Sequence, residues 1–199
     1  MMLIEETLVP SALLPIAEFK AHLLLGSGFA EDSAQDVVLE SFLRAALAAV
    51  EAKTGKAVLR RDFTWTVSAW RRLAEQPLPI APVQAITAVI LRERQGVETV
   101  LPLDQFHLQQ DAHVPCLKPV ATCFPDLAET TQVQIAFSAG LAESWDRVPA
   151  DLAQAVLMLA AHFYEYRHET GLGRGCMPFG VTSLLERYRA VRIGIGGGL

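Results

Sequence analysis

Asp62-Phe63-Thr64-Trp65-Thr66-Val67-Ser68-Ala69-Trp70 alternates between large apolar and small hydroxyl side chains. Successive side chains of a strand point to opposite faces, so this order puts Phe63, Trp65 and Val67 on one sheet face and Thr64, Thr66 and Ser68 on the other. Moving outward, the apolar residues of 58–137 keep alternating and are broken by prolines, whereas those before Gly55 and across 149–167 recur at helical spacing. The period therefore changes twice. That pattern predicts an α+β chain: a helical bundle of two N-terminal helices, one long helix and one short C-terminal helix, with an antiparallel β-rich insertion between the second and third helices.

The boundaries follow from turn and cap chemistry. Pro15 suits a first helical position, and Ile16, Phe19 and Leu23 give an apolar stripe that Gly26 can close. Ser33 with Asp36 three residues on is a capping pattern that opens a helix running to the stop at Gly55. These two helices are expected as a hairpin over 1–56. The insertion spans 57–140. Within it Pro77, Pro79 and Pro82 make a stiff connection, Val83–Arg92 is a second strand, and Arg94-Gln95-Gly96 turns into a third ending near Leu101. Short strands are expected at 105–108 and 114–117 amid proline-rich loops, and Gln132-Val133-Gln134-Ile135-Ala136-Phe137 is the last strand, ended by Gly140. Pro149 opens the long helix of 141–170, with Leu152, Val156, Leu159 and Phe163 along one stripe. Residues 171–199 hold a glycine hinge ending that helix at Gly171, a short helix over 181–192, and a glycine-rich tail that cannot offset its own ordering entropy and is either loose or ordered on a partner. Together these four parts make one domain with a protruding insertion.

At 199 residues, 51% hydrophobic and 20% charged, the chain is globular. Its net charge of −5 and lack of a basic run speak against wrapping nucleic acid by phosphate neutralisation. Three cysteines without CxxC spacing fit free thiols in a reducing compartment, and the opening MMLIEETLVP lacks the basic start and apolar core of a signal peptide. Synthesis in the cytoplasm, with no membrane partner, is the expectation.

Candidate chemistry is sparse. His162, Glu165 and His168 step by three around a helix, unlike the i, i+4 pair of a zinc HExxH motif, and read as a polar helix edge. Gly171, Gly173 and Gly175 follow a helix and precede a proline, whereas a phosphate loop follows a strand and opens a helix. No GxSxG frame exists, and nothing announces a basic setting for Cys116 or Cys123. Phe63, Trp65 and Trp70 fit sheet packing better than base stacking. No catalytic, cofactor or metal residue is assigned. The alternatives to a structural protein are a small hydrolase-like enzyme using His162 and Glu165, or a DNA-binding regulatory module.

EFKAHLLL (18–25), AALAAVEAKTGKAVL (45–59), FTWTV (63–67), LPIAPVQAITAVIL (78–91), QIAFSAG (134–140), VPADLAQAVLMLAAHFYEYRHE (148–169) and SLLERYRAVR (183–192) occur in that order. In this order the chain resembles the head-tail connector, or adaptor, proteins of long-tailed phages, and among them the adaptor of gene transfer agents. The resemblance covers nearly the whole chain and departs most over 102–126. It implies a ring, commonly dodecameric, under the portal of the filled head, bridging portal protein to stopper and tail and letting DNA pass along its axis. It also implies ring contacts through the helical bundle and a C-terminal segment that reaches the portal.

Two sets of residues are expected to carry these roles. Leu184, Leu185, Arg187, Tyr188, Arg189 and Arg192 form an amphipathic, basic segment on a glycine hinge, suited to docking on the portal. Glu31, Asp32, Asp36 and Glu40 cluster in the acidic N-terminal part and are candidates for lining the channel.

Overall fold

Arg61–Val67 forms a strand in which Phe63, Trp65 and Val67 are buried while Thr64 and Thr66 lie half-buried on the opposite face. The computed structural model describes residues 2–25, 35–93, 96–127, 131–167 and 177–189. Its strands are β1 (Met2–Glu5), β2 (Arg61–Val67), β3 (Gln76–Pro77), β4 (Val83–Arg92), β5 (Glu98–Leu101), β6 (Phe106–Gln109), β7 (Cys116–Pro119) and β8 (Gln132–Ala139). Its helices are α1 (Ile16–His22), α2 (Asp36–Thr54), α3 (Ala150–Glu165) and α4 (Phe179–Leu185), joined by short 3-10 turns.

The larger sheet is antiparallel throughout, in the order β1-β2-β8-β4-β5. Phe63 sits opposite Phe137, Trp65 opposite Ile135 and Val67 opposite Val133, so one face is a continuous apolar floor. The rings of Phe63 and Phe137 stack at 5.7 Å. A second sheet, β3-β7-β6, supplies Phe106 and Leu117 to the same core, and Phe124 from the following loop stacks on Trp70 at 4.1 Å. Truncating one such ring to alanine costs about 3–5 kcal/mol. The segment 102–126 thus covers the floor of the large sheet.

The helices build a separate core. Leu39, Leu43, Ala46, Leu47 and Val50 of α2 share it with Leu152, Ala155, Val156, Leu159 and Ala160 of α3. Gly55 ends α2 as expected: at φ 68° its N–H donates to the Glu51 carbonyl at 2.8 Å, a left-handed position that glycine takes without a Cβ penalty. Pro149 precedes the first residue of α3, also as expected, but the helix ends at Glu165 and not at Gly171, which lies outside the described residues.

A helical bundle with a single β-rich insertion is not what forms. Two antiparallel sheets of eight strands, together with four helices, make up the described elements, and strands dominate the core. The physical reason is the floor formed by Phe63, Trp65, Ile135 and Phe137, which is too apolar to be left against solvent. The chain folds a second sheet over it, and a second core results. β1, drawn from the N-terminal segment assigned to helices, extends the same sheet.

A buried ion network joins the layers. The Arg61 guanidinium donates to both Glu51 carboxylate oxygens at 2.9 and 2.6 Å, its Nε lies 2.8 Å from Glu5 Oε1, and the Val58 N–H donates to Glu51 Oε1 at 2.7 Å. One arginine on β2 therefore holds α2 and β1 together. Burial disfavours its charge, but the Glu51 hydrogen bonds, with the Glu51 and Glu5 charges, more than offset this and raise its pKa above the ordinary arginine value.

Candidate assembly surfaces

The C-terminal segment is folded onto its own chain. Val181 and Leu185 of α4 and Tyr188 of the 3-10 turn Glu186–Tyr188 are buried in the helical core, and Leu184 is half-buried against it. The helix expected over 181–192 instead stops at Leu185, continues as the 3-10 turn, and is extended at Arg189. Asp151, in the first turn of α3, is the anchor: the Tyr188 hydroxyl donates to its Oδ1 at 2.6 Å, and Arg187 Nη1 is 3.2 Å from its Oδ2. Burial, then the Asp151 hydrogen bond and charge, push the Tyr188 phenol up to about 12. Arg187 is 73% exposed at its side chain, so its ion pair is worth about 0–1 kcal/mol. Arg187 and Arg189 are both exposed, Arg189 with its Nη1 3.8 Å from Glu186 Oε1, and Phe179 at the start of α4 is 88% exposed. Of the six expected docking residues, Leu185 and Tyr188 are core, Leu184 flanks the core, Arg187 and Arg189 are available, and Arg192 lies outside the described residues.

The acidic set divides in the same way. Glu31 and Asp32 lie outside the described residues, as does the Ser33 cap. Asp36 pairs with Lys20 at 2.5 Å. Glu40 accepts from Ser11 Oγ at 2.8 Å and from Arg44 Nε at 2.8 Å, and Arg44 also reaches the Val9 carbonyl at 2.9 Å. The Ser11 hydrogen bond, with those of Arg44, lowers the Glu40 pKa. Both carboxylates fasten the N-terminal segment and α1 to α2. Each presents a largely neutralised pair to its surroundings.

His162 and Glu165 sit in the last turn of α3, where the His162 ring packs 4.7 Å from that of Tyr166, and His168 is outside the described residues. Among the described residues no three His, Cys, Asp or Glu side chains are grouped to hold a metal ion. No described helix is long and apolar enough to cross a membrane.

Sequence reasoning missed Arg61 and its carboxylates, because Glu5, Glu51 and Arg61 come together only through tertiary folding. Their signal was a set of charges embedded among apolar residues. It missed likewise the hydrogen bond from Trp145 Nε1 to Glu18 Oε2 at 2.8 Å, which ties the approach to α3 onto α1.

No protein-family model and no curated protein matches the chain. Solved structures do. A chain in the neck of an empty gene transfer agent particle, computed with C6 symmetry, is 46% identical over 99% of both chains with a TM-score of 0.88. The chain belongs to the head-tail adaptor family of gene transfer agents. A chain of the virion of a native gene transfer agent particle is likewise 46% identical over 99% of both chains, with a TM-score of 0.85. A third, in the neck of a native particle computed with C12 symmetry, is 44% identical over 99% of both chains with a TM-score of 0.82. These adaptor-family relatives are components of particles. Full coverage on both sides means that the helical layer, both sheets and the 102–126 region all have counterparts in them.

Proposed function

We propose that this chain is an architectural component of the neck of a gene transfer agent particle. It forms a ring beneath the portal, joins head to tail through a stopper or tail-proximal protein, and leaves an axial passage for DNA. The observation that carries this reading is the identity of 44–46% across 99% of both chains to proteins of particle necks and virions. The C6 and C12 symmetries of those necks support a cyclic assembly, with twelve copies for the C12 case. The role is one of contact and not of turnover.

Charge fits a conduit. With −5 on each copy, twelve copies carry about −60, and an acidic ring repels DNA in transit instead of retaining it. Because Asp36 and Glu40 are paired locally, the repulsion comes from the net charge of the whole ring more than from those two side chains. Portal docking falls to the exposed Arg187 and Arg189, and to the residues that follow. Leu185 and Tyr188 hold that segment in place.

Removing the gene from a producing strain is the test. Filled heads without tails, restored by the wild-type chain and not by a chain with Arg187→Glu and Arg189→Glu, are expected. Tailed, DNA-delivering particles from the deletion strain would overturn the proposal.

A further inference from the structure

A cyclic ring needs a heterologous contact: every copy must offer two different surfaces, one for the neighbour on each side. Among the described residues the five-stranded sheet has two different open edges, β1 and β5. Native edge strands are ordinarily blunted by lysine, proline, a bulge or a covering element. Neither Met2-Leu3-Ile4-Glu5 nor Glu98-Thr99-Val100-Leu101 contains lysine or proline, and their pairings run without a register shift. Both show apolar side chains to solvent: Met2 is 56% exposed, Ile4 39% and Val100 67%.

The open backbone groups can be named. The Glu93 N–H donates to the Val97 carbonyl at 2.9 Å, and antiparallel pairs alternate between bonded and unbonded. Leu91–Thr99 and Val89–Leu101 are then the bonded pairs, so the N–H and C=O of Glu98 and Val100 point away from the sheet. At the other edge the Glu6 N–H donates to the Asp62 carbonyl at 2.8 Å, which leaves the groups of Leu3 and Glu5 pointing outward. Each edge offers two residues' worth of donors and acceptors unpaired among the described residues.

We infer that the β5 edge of one copy pairs with the β1 edge of the next, so that the large sheet continues from copy to copy around the ring. The inference rests on the ring reading above. Four antiparallel steps separate β1 from β5, so the two strands run in the same direction and a continuing sheet joins them in parallel. The faces then match. Met2 and Ile4 lie on the same sheet face as Val100, since Met2 pairs with Thr66, Thr66 with Gln134, Gln134 with Ile90 and Ile90 with Val100. Joining the edges buries Val100 against Met2 or Ile4 of the neighbour on that face, and adds Leu3 to the apolar floor beside Leu101 on the other. The nearby acids do not oppose this, because Glu5 is paired with Arg61 and Glu98 with Arg92.

Disulfide trapping tests it in assembled particles. Within one chain β1 and β5 are four strand spacings apart, about 19 Å, beyond any disulfide. Met2→Cys or Ile4→Cys is combined with Val100→Cys, the two pairs covering both registers that keep the faces matched. The neck is then oxidised with copper phenanthroline, with the parental chain and its three native cysteines as control. A ladder of covalent multimers up to ring size is expected from one pair. Rings of normal mass without a ladder overturn the sheet contact and leave the ring standing, whereas the absence of any ring from the unmodified chain overturns both. Val100→Pro removes an N–H that bonds to nothing among the described residues and is expected to lower ring yield about tenfold. Undiminished rings from a folded V100P chain count against the contact.

Discussion

Replacing Glu51 by alanine removes both hydrogen bonds that Arg61 donates to it at 2.9 and 2.6 Å, together with the acceptor of the Val58 N–H at 2.7 Å. The side chains of Arg61 and Glu51 are 6% and 10% exposed, so neither the guanidinium nor the amide regains water. Breaking a buried pair by removing one partner costs about 3–5 kcal/mol. For a chain of this size that is a fall in Tm of about 6–20 °C, at roughly 2–4 °C per kcal/mol. Glu5 is a different case: its side chain is 34% exposed and meets Arg61 at Nε alone, so Glu5→Ala is expected to cost about 1 kcal/mol or less. Replacing both central partners with apolar residues of similar volume, Glu51→Leu with Arg61→Met, should recover most of the loss, because no uncompensated charge stays buried. Urea unfolding by circular dichroism gives the costs of E51A and E5A, and the same measurement on wild type, E51L, R61M and E51L/R61M, read as a double-mutant cycle, gives the coupling directly. A cost under about 1 kcal/mol for E51A would refute the view that this network joins the layers.

Other consequences follow from single positions. Gly140→Ala is expected to cost about 3 kcal/mol or more, or to abolish folding, because at φ 151° the added Cβ would lie 2.4 Å from the Arg60 Cα; thermal melts check it. Tyr188→Phe should remove about 1.5 kcal/mol by deleting a hydrogen bond to a carboxylate. The wild-type Tyr188 pKa is raised from 10.0 to about 12 in the fold, so its contribution is intact below pH 10 and lost as pH climbs to about 12. Absorbance at 295 nm should show one of the three tyrosines ionising late, and its absence in Y188F assigns it. Glu40 has its pKa depressed, so its contribution is present above the ordinary glutamate value and lost as pH falls through the folded one. Glu40→Gln should therefore flatten the acid limb of the stability profile, measured by urea unfolding from neutral to low pH.

How much of this was legible varied with the range of the signal. The alternation of Phe63, Trp65 and Val67, the stop at Gly55 and the start after Pro149 were read correctly because each is set by neighbours in the chain. Val83–Arg92 was recognised as a strand, although shifts between Val83 and Ala85 and between Ile86 and Ala88 blur its period. The short strands expected at 105–108 and 114–117 form as β6 and β7, but that they join β3 in a sheet of their own was not legible, since strands of two to four residues carry too few alternations to show what they pair with. β1 was hidden for the same reason. Its four residues make a strand only beside β2. Among the site residues, the amphipathic pattern of Leu185 and Tyr188 was real, but periodicity shows an apolar face and not what covers it. Here the chain's own α3 does so, with Asp151 as the tether.

Imaging the neck of particles made by cells that carry this chain, at a resolution that traces side chains, tests the central claim most directly. The account predicts a closed ring of this chain between the portal and the tail, with Arg187 and Arg189 turned toward the portal. A neck in which another protein fills that position, with this chain absent from the purified particle, would contradict it.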